Sequence, residues 1–331
     1  MARIALDAMG GDHAPGETVA GAVDAAGQGV DVVLVGGEEA LAAELAKHES
    51  SLPIVDAPDV IGMGDDPARA LREKPDASIT VCAKLVASGE ADGFVSAGST
   101  GAAMAAAAII IGRIAGVTRP AIATIFPTLG SPTLVLDSGA NPEVKAEQLA
   151  QFAVMGAVAA QALLGADPAR VGLLSIGEEK GKGRDLERAA YDLIEQGPVH
   201  FVGNIEGRDV ATDKVDVIVT DGFTGNVFLK ATEGTAALIN GYLLEAMSEL
   251  PEEIRRQALP ALARVNEKMD WESYGGAQLL GVKGSALIAH GSSSRRAVAN
   301  ALVMAHQSAD KNLPGRVAAA LGFPGGPPSG D

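Results

Sequence analysis

The chain has 331 residues, enough for a large core, and 47% of them are hydrophobic, which excludes a disordered protein. Its formal net charge of −16 at pH 7 argues against a nucleic-acid partner, because a phosphate backbone demands a basic face. The single cysteine, Cys82, excludes an internal disulfide and fits a reducing cytoplasm.

The chain opens directly into a strand pattern at 2–8, with no signal peptide before it, and a helix pattern follows at 17–27. A strand at 31–36, a helix at 38–47, a strand at 53–57 and a helix at 78–88 continue the alternation. Next come a strand at 93–97, a helix at 101–111, and strands at 123–126 and 133–137. A long helix at 143–164 follows, headed by Pro142 and Glu143, residues suited to a first turn. A strand at 171–176, a helix at 186–195, strands at 200–203 and 215–220, a helix at 226–248, a strand at 286–289 and a helix at 295–310 complete the series. Short β-branched runs alternating with Ala-rich helices predict an α/β fold, a mostly parallel sheet with helices on both faces. The longest apolar stretch, 102–111, is far shorter than the ~20 residues of a membrane span, so the reading is of a soluble chain.

One stretch breaks the rhythm. From 235 to 268 two helix patterns follow one another, parted by Leu250-Pro251-Glu252-Glu253, which predicts a helical hairpin outside the sheet. Its apolar residues suit a hairpin or dimer core, or an amphipathic surface dipping into lipid with Arg255, Arg256 and Arg264 near anionic headgroups. The Pro- and Gly-rich end, 323–331, reads as a disordered tail after a single α/β catalytic domain over 1–322.

Three times, small polar residues cluster where a strand pattern gives way to a helix: Val95–Gly101, Leu136–Asn141 and Asp221–Asn226. A helix start offers free N–H groups and a positive dipole end, and such loops on one sheet are expected to gather at its carboxyl edge around an anion. Further loops of this kind are Asp7–Pro15, with Gly10, Gly11 and Asp12; Gly177–Gly183, with Lys182; Gly203–Asp209, with Asn204, Glu206 and Asp209; and His290–Arg295, with Ser292 and Ser293. Capping accounts for Asp137, Asp221 and Ser293, but Asn204–Asp209 mixes both charges without an obvious structural need. Gly275-Gly276 reads as another flexible turn. No G-x-G-x-x-G follows the first strand, and Gly177–Gly183 is one residue short of a P-loop, with Gly183 where Ser or Thr should hold magnesium. The five histidines are scattered, so no metal and no cofactor is expected, and Cys82 reads as buried and inert.

Together the segments Asp7–Pro15, Val95–Gly101, Leu136–Asn141, Gly203–Asp209, Asp221–Lys230, Tyr274–Gly281 and His290–Ser293 resemble the bacterial phosphate acyltransferase of phospholipid synthesis, in order, from Met1 to about Lys311. Ser99 stands where that family usually carries Asn; both are small and hydrogen-bonding. The resemblance implies transfer of a fatty acyl group from acyl-acyl-carrier protein to inorganic phosphate, giving acyl phosphate. It also implies a three-layer sandwich akin to isopropylmalate dehydrogenase and phosphotransacetylase with a protruding hairpin, a homodimer, and a cytoplasmic enzyme. Reversible contact with the inner face of the membrane, near a downstream membrane glycerol-phosphate acyltransferase, is implied as well.

Such a reaction needs two reactants held in line, worth ~7–11 kcal/mol, and donors to a tetrahedral oxyanion. For phosphate the expected contacts are Asp7, Gly10, Gly11, Asp12, Gly98, Ser99, Thr100, Gly101, Asn141, Glu206, Asp209, Asp221, Gly222, Gly225, Lys230, Ser292 and Ser293, with Lys182 or Lys230 as the cation. Asn226, Asn204 or His290 would serve the oxyanion, and no activated Ser–His or Cys–His arrangement suggests a covalent intermediate. The carrier is acidic, so docking would rely on a local basic patch, Arg255, Arg256, Arg264 and Lys268. Competing readings are a phosphotransacetylase-like enzyme using short-chain acyl-coenzyme A, an NAD-dependent decarboxylating dehydrogenase lacking its fingerprint, and a non-catalytic scaffold.

Overall fold

The computed structural model describes residues 2–269 and 271–322; the tail expected at 323–331 lies outside the described residues. In chain order the elements are β1 Arg3–Asp7, α1 Gly16–Gly27, β2 Asp31–Gly36, α2 Glu38–Ala46, β3 Ile54–Asp56, α3 Pro67–Glu73, α4 Ser78–Ser88, β4 Gly93–Ser96 and α5 Thr100–Ala106. They continue with β5 Ala121–Phe126, β6 Thr133–Leu136, α6 Ala146–Leu164, β7 Arg170–Leu174, α7 Asp185–Glu195, β8 His200–Ile205 and β9 Val217–Val219. The last are α8 Gly222–Ser248, α9 Glu252–Met269, β10 Ala277–Leu280, β11 Ser285–Ile288, α10 Arg295–Asp310 and α11 Leu313–Ala320.

All strands join one eleven-stranded sheet in the order β3-β2-β1-β4-β11-β10-β5-β6-β9-β7-β8. The residue alternation of each strand sorts side chains to two faces, as a pleated strand must. Ile4 and Leu6 pack under α1, α2 and α10, while Ala5 packs under α4 and α5. In the other half Leu134, Leu136, Val217 and Val219 lie under α6, α7 and α11, while Val135 and Ile218 meet Val210, Val215, Phe228 and Leu229. The fold is therefore the mostly parallel, helix-covered sheet that the alternation predicts.

The expectation of one common carboxyl edge does not hold. Strands β3, β2, β1, β4 and β11 run parallel to one another, as do β6, β9, β7 and β8. Between them lie three antiparallel pairings, β11 with β10, β10 with β5, and β5 with β6. An odd number of reversals turns the second half round, so the carboxyl ends of the two halves face opposite edges of the sheet. The two antiparallel pairings of β10 cancel, leaving β5 parallel to β11, so the net reversal comes from the antiparallel pair of β5 and β6; β10 itself, a four-residue strand, is additional to the sequence reading. Gly275 and Gly276, read as a flexible turn, are packing contacts: a Cβ on Gly275 would fall 2.1 Å from Ala301 N, and one on Gly276 2.8 Å from Ile288 O.

Local departures have local causes. The long helix begins at Ala146 rather than at 143, because Lys145 is extended and its N–H donates to Gln148 Oε1 (2.7 Å), capping the first turn there; Asn141 is held before it, its carbonyl accepting from Gly222 N (2.8 Å) and its side chain donating to Asp137 and Pro120 O. The helix after β4 ends its α-helical part at Ala106 and widens into a π-turn over Ala107–Gly112, which feeds Gly112 into a bridge between Arg113 and Val282. α3 and α11 are additional to the sequence reading. Helices α8 and α9 form the expected hairpin, and on it Leu238, Ile239, Tyr242, Leu243, Leu244, Ile254 and Leu259 are all exposed. No helix among the described residues is long and apolar enough to cross a membrane.

Candidate active site

The loop residues singled out in the sequence fall into two groups. At the ends of β1, β4 and β11 stand Asp7, Gly10, Gly11, Asp12, Gly98, Ser99, Thr100, Gly101, His290, Ser292 and Ser293. At the ends of β6, β7, β8 and β9, on the other edge, stand Asn141, Lys182, Asn204, Glu206, Asp209, Asp221, Gly222, Gly225 and Asn226, with Lys230 two turns into α8.

The first group is organised around a buried carboxyl. Asp7 is 2% exposed; Ser78 Oγ donates to its Oδ1 and Ser96 Oγ to its Oδ2, both at 2.6 Å. Burial pushes this carboxyl above its ordinary value against the pull of both hydroxyls. Buried and held by a hydroxyl at each oxygen, Asp7 holds the loop in place. Gly10 sits against it, where a Cβ would meet Asp7 Oδ2 at 2.5 Å. Asp12 N donates to Gly291 O (2.7 Å), which ties the first loop to the last. His290 Nδ1 shares a hydrogen bond with Ser292 Oγ (2.7 Å), Ser99 Oγ accepts from Ala102 N, and the buried Ser293 Oγ has no partner in the described residues. Cys82 is buried behind this group; burial, and then the nearby Asp7, push its thiol well up, so it is inert as expected.

The second group is built from a carboxylate that fills its own nest. Asp137, wholly buried, accepts from Ile122 N, Gly139 N and Ala140 N at Oδ1 and from Asn141 N and Nδ2 at Oδ2, at 2.8–3.1 Å. The N–H groups that the sequence offered to phosphate at Leu136–Asn141 are thereby consumed, and Asn141 is structural. On this loop rests the start of α8. Gly222 N donates to Asn141 O, and Gly225 lies so close that a Cβ there would stand 2.0 Å from Asp137 O. Asp221 caps the helix by accepting from Thr224 N (2.8 Å) and Thr224 Oγ1 (2.9 Å), and Arg184 Nη2 donates to it from the head of α7. Burial would raise the Asp221 carboxyl, but Thr224 and Arg184 outweigh it and hold it below its ordinary value.

What this edge leaves open is Asn226. Its side chain is exposed, faces the Cα of Gly139, and makes no hydrogen bond among the described residues. Lys182, two residues before Arg184, is exposed and makes no ion pair among the described residues. Lys230 shares the outer face of α8 with Asn226, at i+4, and pairs with Glu233 (2.8 Å).

Asn204 is corrected by the structure. It is a strand residue of β8, 4% exposed, because a register shift at Val171/Gly172 carries pairing on to Ile205. Its Nδ2 donates to Glu179 O (2.9 Å) and its buried Oδ1 has no partner among the described residues, so the strand and the Glu179 carbonyl fix the side chain in place. The mixed charges after it do have a structural need: Arg208 pairs with Glu206, Lys214 with Glu178 and Asp209, and Asp209 accepts from Glu206 N. Arg184, which joins α7 to α8, was missed; its one signal is its place between the Gly177–Gly183 loop and a helix. On the hairpin Arg256 is paired with Glu253 (2.5 Å), so the Arg255, Arg256, Arg264 and Lys268 surface is less basic than its count suggests.

A family model described as fatty acid synthesis protein matches residues 2–316. A phosphate acyltransferase of Heliobacterium modesticaldum is 48% identical over 318 residues, 94% of this chain and 95% of its own. One from Gloeobacter violaceus is 47% identical over 333 residues, 97% of each. Among solved structures, a phosphotransacetylase from Streptococcus pyogenes superposes with a TM-score of 0.62 at 17% identity, over 93% of this chain and 94% of that one. A 4-hydroxythreonine-4-phosphate dehydrogenase from Klebsiella pneumoniae does so with 0.51 at 14%, over 93% and 98%. At those identities the two structures share the fold alone.

Proposed function

The chain belongs to the phosphate acyltransferase family, an acyltransferase that takes phosphate and an acyl donor, and from that premise we propose that its donor is a fatty acyl-acyl-carrier protein. The product is then acyl phosphate for phosphatidic acid synthesis. The observation that carries the reading is the start of α8. The carboxylates there are engaged by protein partners, Asp137 by five N–H donors and Asp221 by Thr224 and by Arg184, which it shares with Glu187, while the Asn226 amide and the Lys182 ammonium stay unclaimed among the described residues. An anion arriving there meets the dipole end of a long helix.

The step balances without a further reactant. A phosphate oxygen of HPO₄²⁻ attacks the thioester carbonyl carbon and forms the new C–O bond. The carbonyl oxygen becomes an oxyanion, to which Asn226 Nδ2 donates. Collapse breaks the C–S bond, and the phosphate proton passes to the departing thiolate. Lys182 holds the phosphate and Asn226 the oxyanion, the loss of such a donor costing about 10²–10³ in rate. The edge with Gly10, Gly11, Asp12, Gly98–Gly101, Ser292 and Ser293 is a second substrate-binding edge in this reading. Residues 1–322 work as one catalytic unit, and a second copy covers the apolar hairpin. Arg255, Arg264 and Lys268 receive the acidic carrier, and charge reversal at Arg255 and Arg264 raises the KM for acyl-carrier protein without altering Tm.

The test incubates the protein with palmitoyl-acyl-carrier protein and phosphate and traps acyl phosphate with hydroxylamine, read as the hydroxamate by mass spectrometry. Phosphate-dependent product that is lost in Asn226→Ala, with an unchanged melting temperature, is the expected result. Product from acetyl- or butyryl-coenzyme A but not from the carrier thioester would move the chain to short-chain chemistry. No product from either would overturn the reading.

A further inference from the structure

We propose that Ile176, Phe223 and Val227 seat the fatty acyl chain, an assignment that rests on the acyl-transfer reading above. These large apolar side chains are 81%, 64% and 52% exposed, in a chain that buries most others of their kind. Phe223 and Val227 stand one turn apart on α8, and Asn226 lies one turn from Phe223, at i+3. Strands β7 and β9 are parallel neighbours, with Leu173 paired to Val219, so the connection that carries Ile176 and the start of α8 leave the sheet at the same edge. The Arg184–Asp221 contact holds the two connections together.

None of the three is needed by the core. The inner side of α8 already packs there through Phe228 and Leu229, with the Phe228 ring 5.4 Å from that of Phe126. Past Val227 the same face of α8 presents Ala231 and Gly234 before Leu238, all exposed, beside Lys230, which is turned to Glu233 (2.8 Å). From Phe223 to Leu238 the helix rises about 22 Å, room for a long acyl chain whose carbonyl lies at Asn226. A substrate bearing such a chain must cover it, and each methylene buried is worth about fourfold in affinity. Continuity with Asn226 favours the acyl chain as the occupant as far as Leu238, the hairpin beyond it being left to the second copy.

The experiment measures kcat/KM for palmitoyl and butyryl thioesters, each on carrier protein and on coenzyme A, in the wild type, Ile176→Ser and the double variant Phe223→Ser/Val227→Ser. All three positions are exposed, so folding is expected to hold, and Tm checks it. Binding of cis-parinaric acid, followed by its fluorescence, tests the seat without turnover. The expected result is a loss of at least about tenfold for palmitoyl donors and for the fatty acid, with butyryl donors close to wild type. Equal loss on both chain lengths, or no loss, would overturn the assignment, and equal loss with altered sedimentation would give the face to a second copy. Failure of the acyl-transfer reading shows separately, as a wild type that forms no acyl phosphate from any thioester.

Discussion

Replacing Gly225 by Ala asks whether the first turn of α8 is a fixed platform for Asn226. A Cβ at Gly225 would stand 2.0 Å from Asp137 O, 3.0 Å from Asp137 C and 3.1 Å from Thr220 Cγ2. Ordinary contact begins near 3.4 Å, so the shortfall at the carbonyl is 3.4 − 2.0 = 1.4 Å. Neither neighbour can swing aside: one is backbone, its residue pinned through its side chain by five donors, and the other is a buried β-branched side chain. The helix start must lift by more than an ångström. Alanine gains about 1 kcal/mol of helix propensity and overpacking costs about 1–3, so the net loss is about 0–2 kcal/mol and the protein still folds. Activity is far more sensitive, since a misplacement of about 1 Å can cost about 10²-fold. The expectation is a hundredfold-scale fall in kcat, read as hydroxamate formed at saturating phosphate, with Tm lowered by less than about 8 °C. Gly241→Ala, where an added Cβ meets nothing within 4 Å, serves as control and should gain stability without losing rate. A folded Gly225→Ala enzyme with kcat within about threefold of wild type would refute the platform.

The carboxyls give further outcomes. Asp7 titrates above 3.8 in the folded chain, so it holds its proton there while the unfolded chain has lost it, and wild-type stability falls as pH rises past 3.8. Asp7→Asn stays neutral and should flatten that slope in urea midpoints taken in steps upward from about pH 4; an unchanged profile would remove Asp7 as its source. Asp221 is displaced the other way, contributing stability above 3.8 that is lost as pH falls through its lowered folded value. Arg184→Gln should cost about 1–2 kcal/mol near neutral pH, discounted because the guanidinium is 59% exposed, and the deficit should shrink in acid. Equal deficits at both pH values would exclude the pair as its source.

The order of strands and helices is written locally, in periodicity and capping residues, and the loops at 95–101, 136–141 and 221–226 stand out for the same reason. The inner hydrophobic runs could be read because each buries one face whatever its neighbours are. The sense of the sheet could not. Ala277–Leu280 is four residues between glycine turns, with no period to detect, and whether Ala121–Phe126 and Thr133–Leu136 pair antiparallel, which turns half the sheet round and divides the loops between two edges, is a property of two strands together. Asn204 read as a loop donor because a register shift is a property of two strands, and the mixed charges at 206–209 looked functional until Lys214 and Glu178 arrived from a distance. Composition and pattern determined which segments bury apolar surface and which break. Only the tertiary structure decided which polar groups are consumed, because an N–H held by a carboxylate from its own loop is no longer available to a ligand, and nothing in the residue's identity records that.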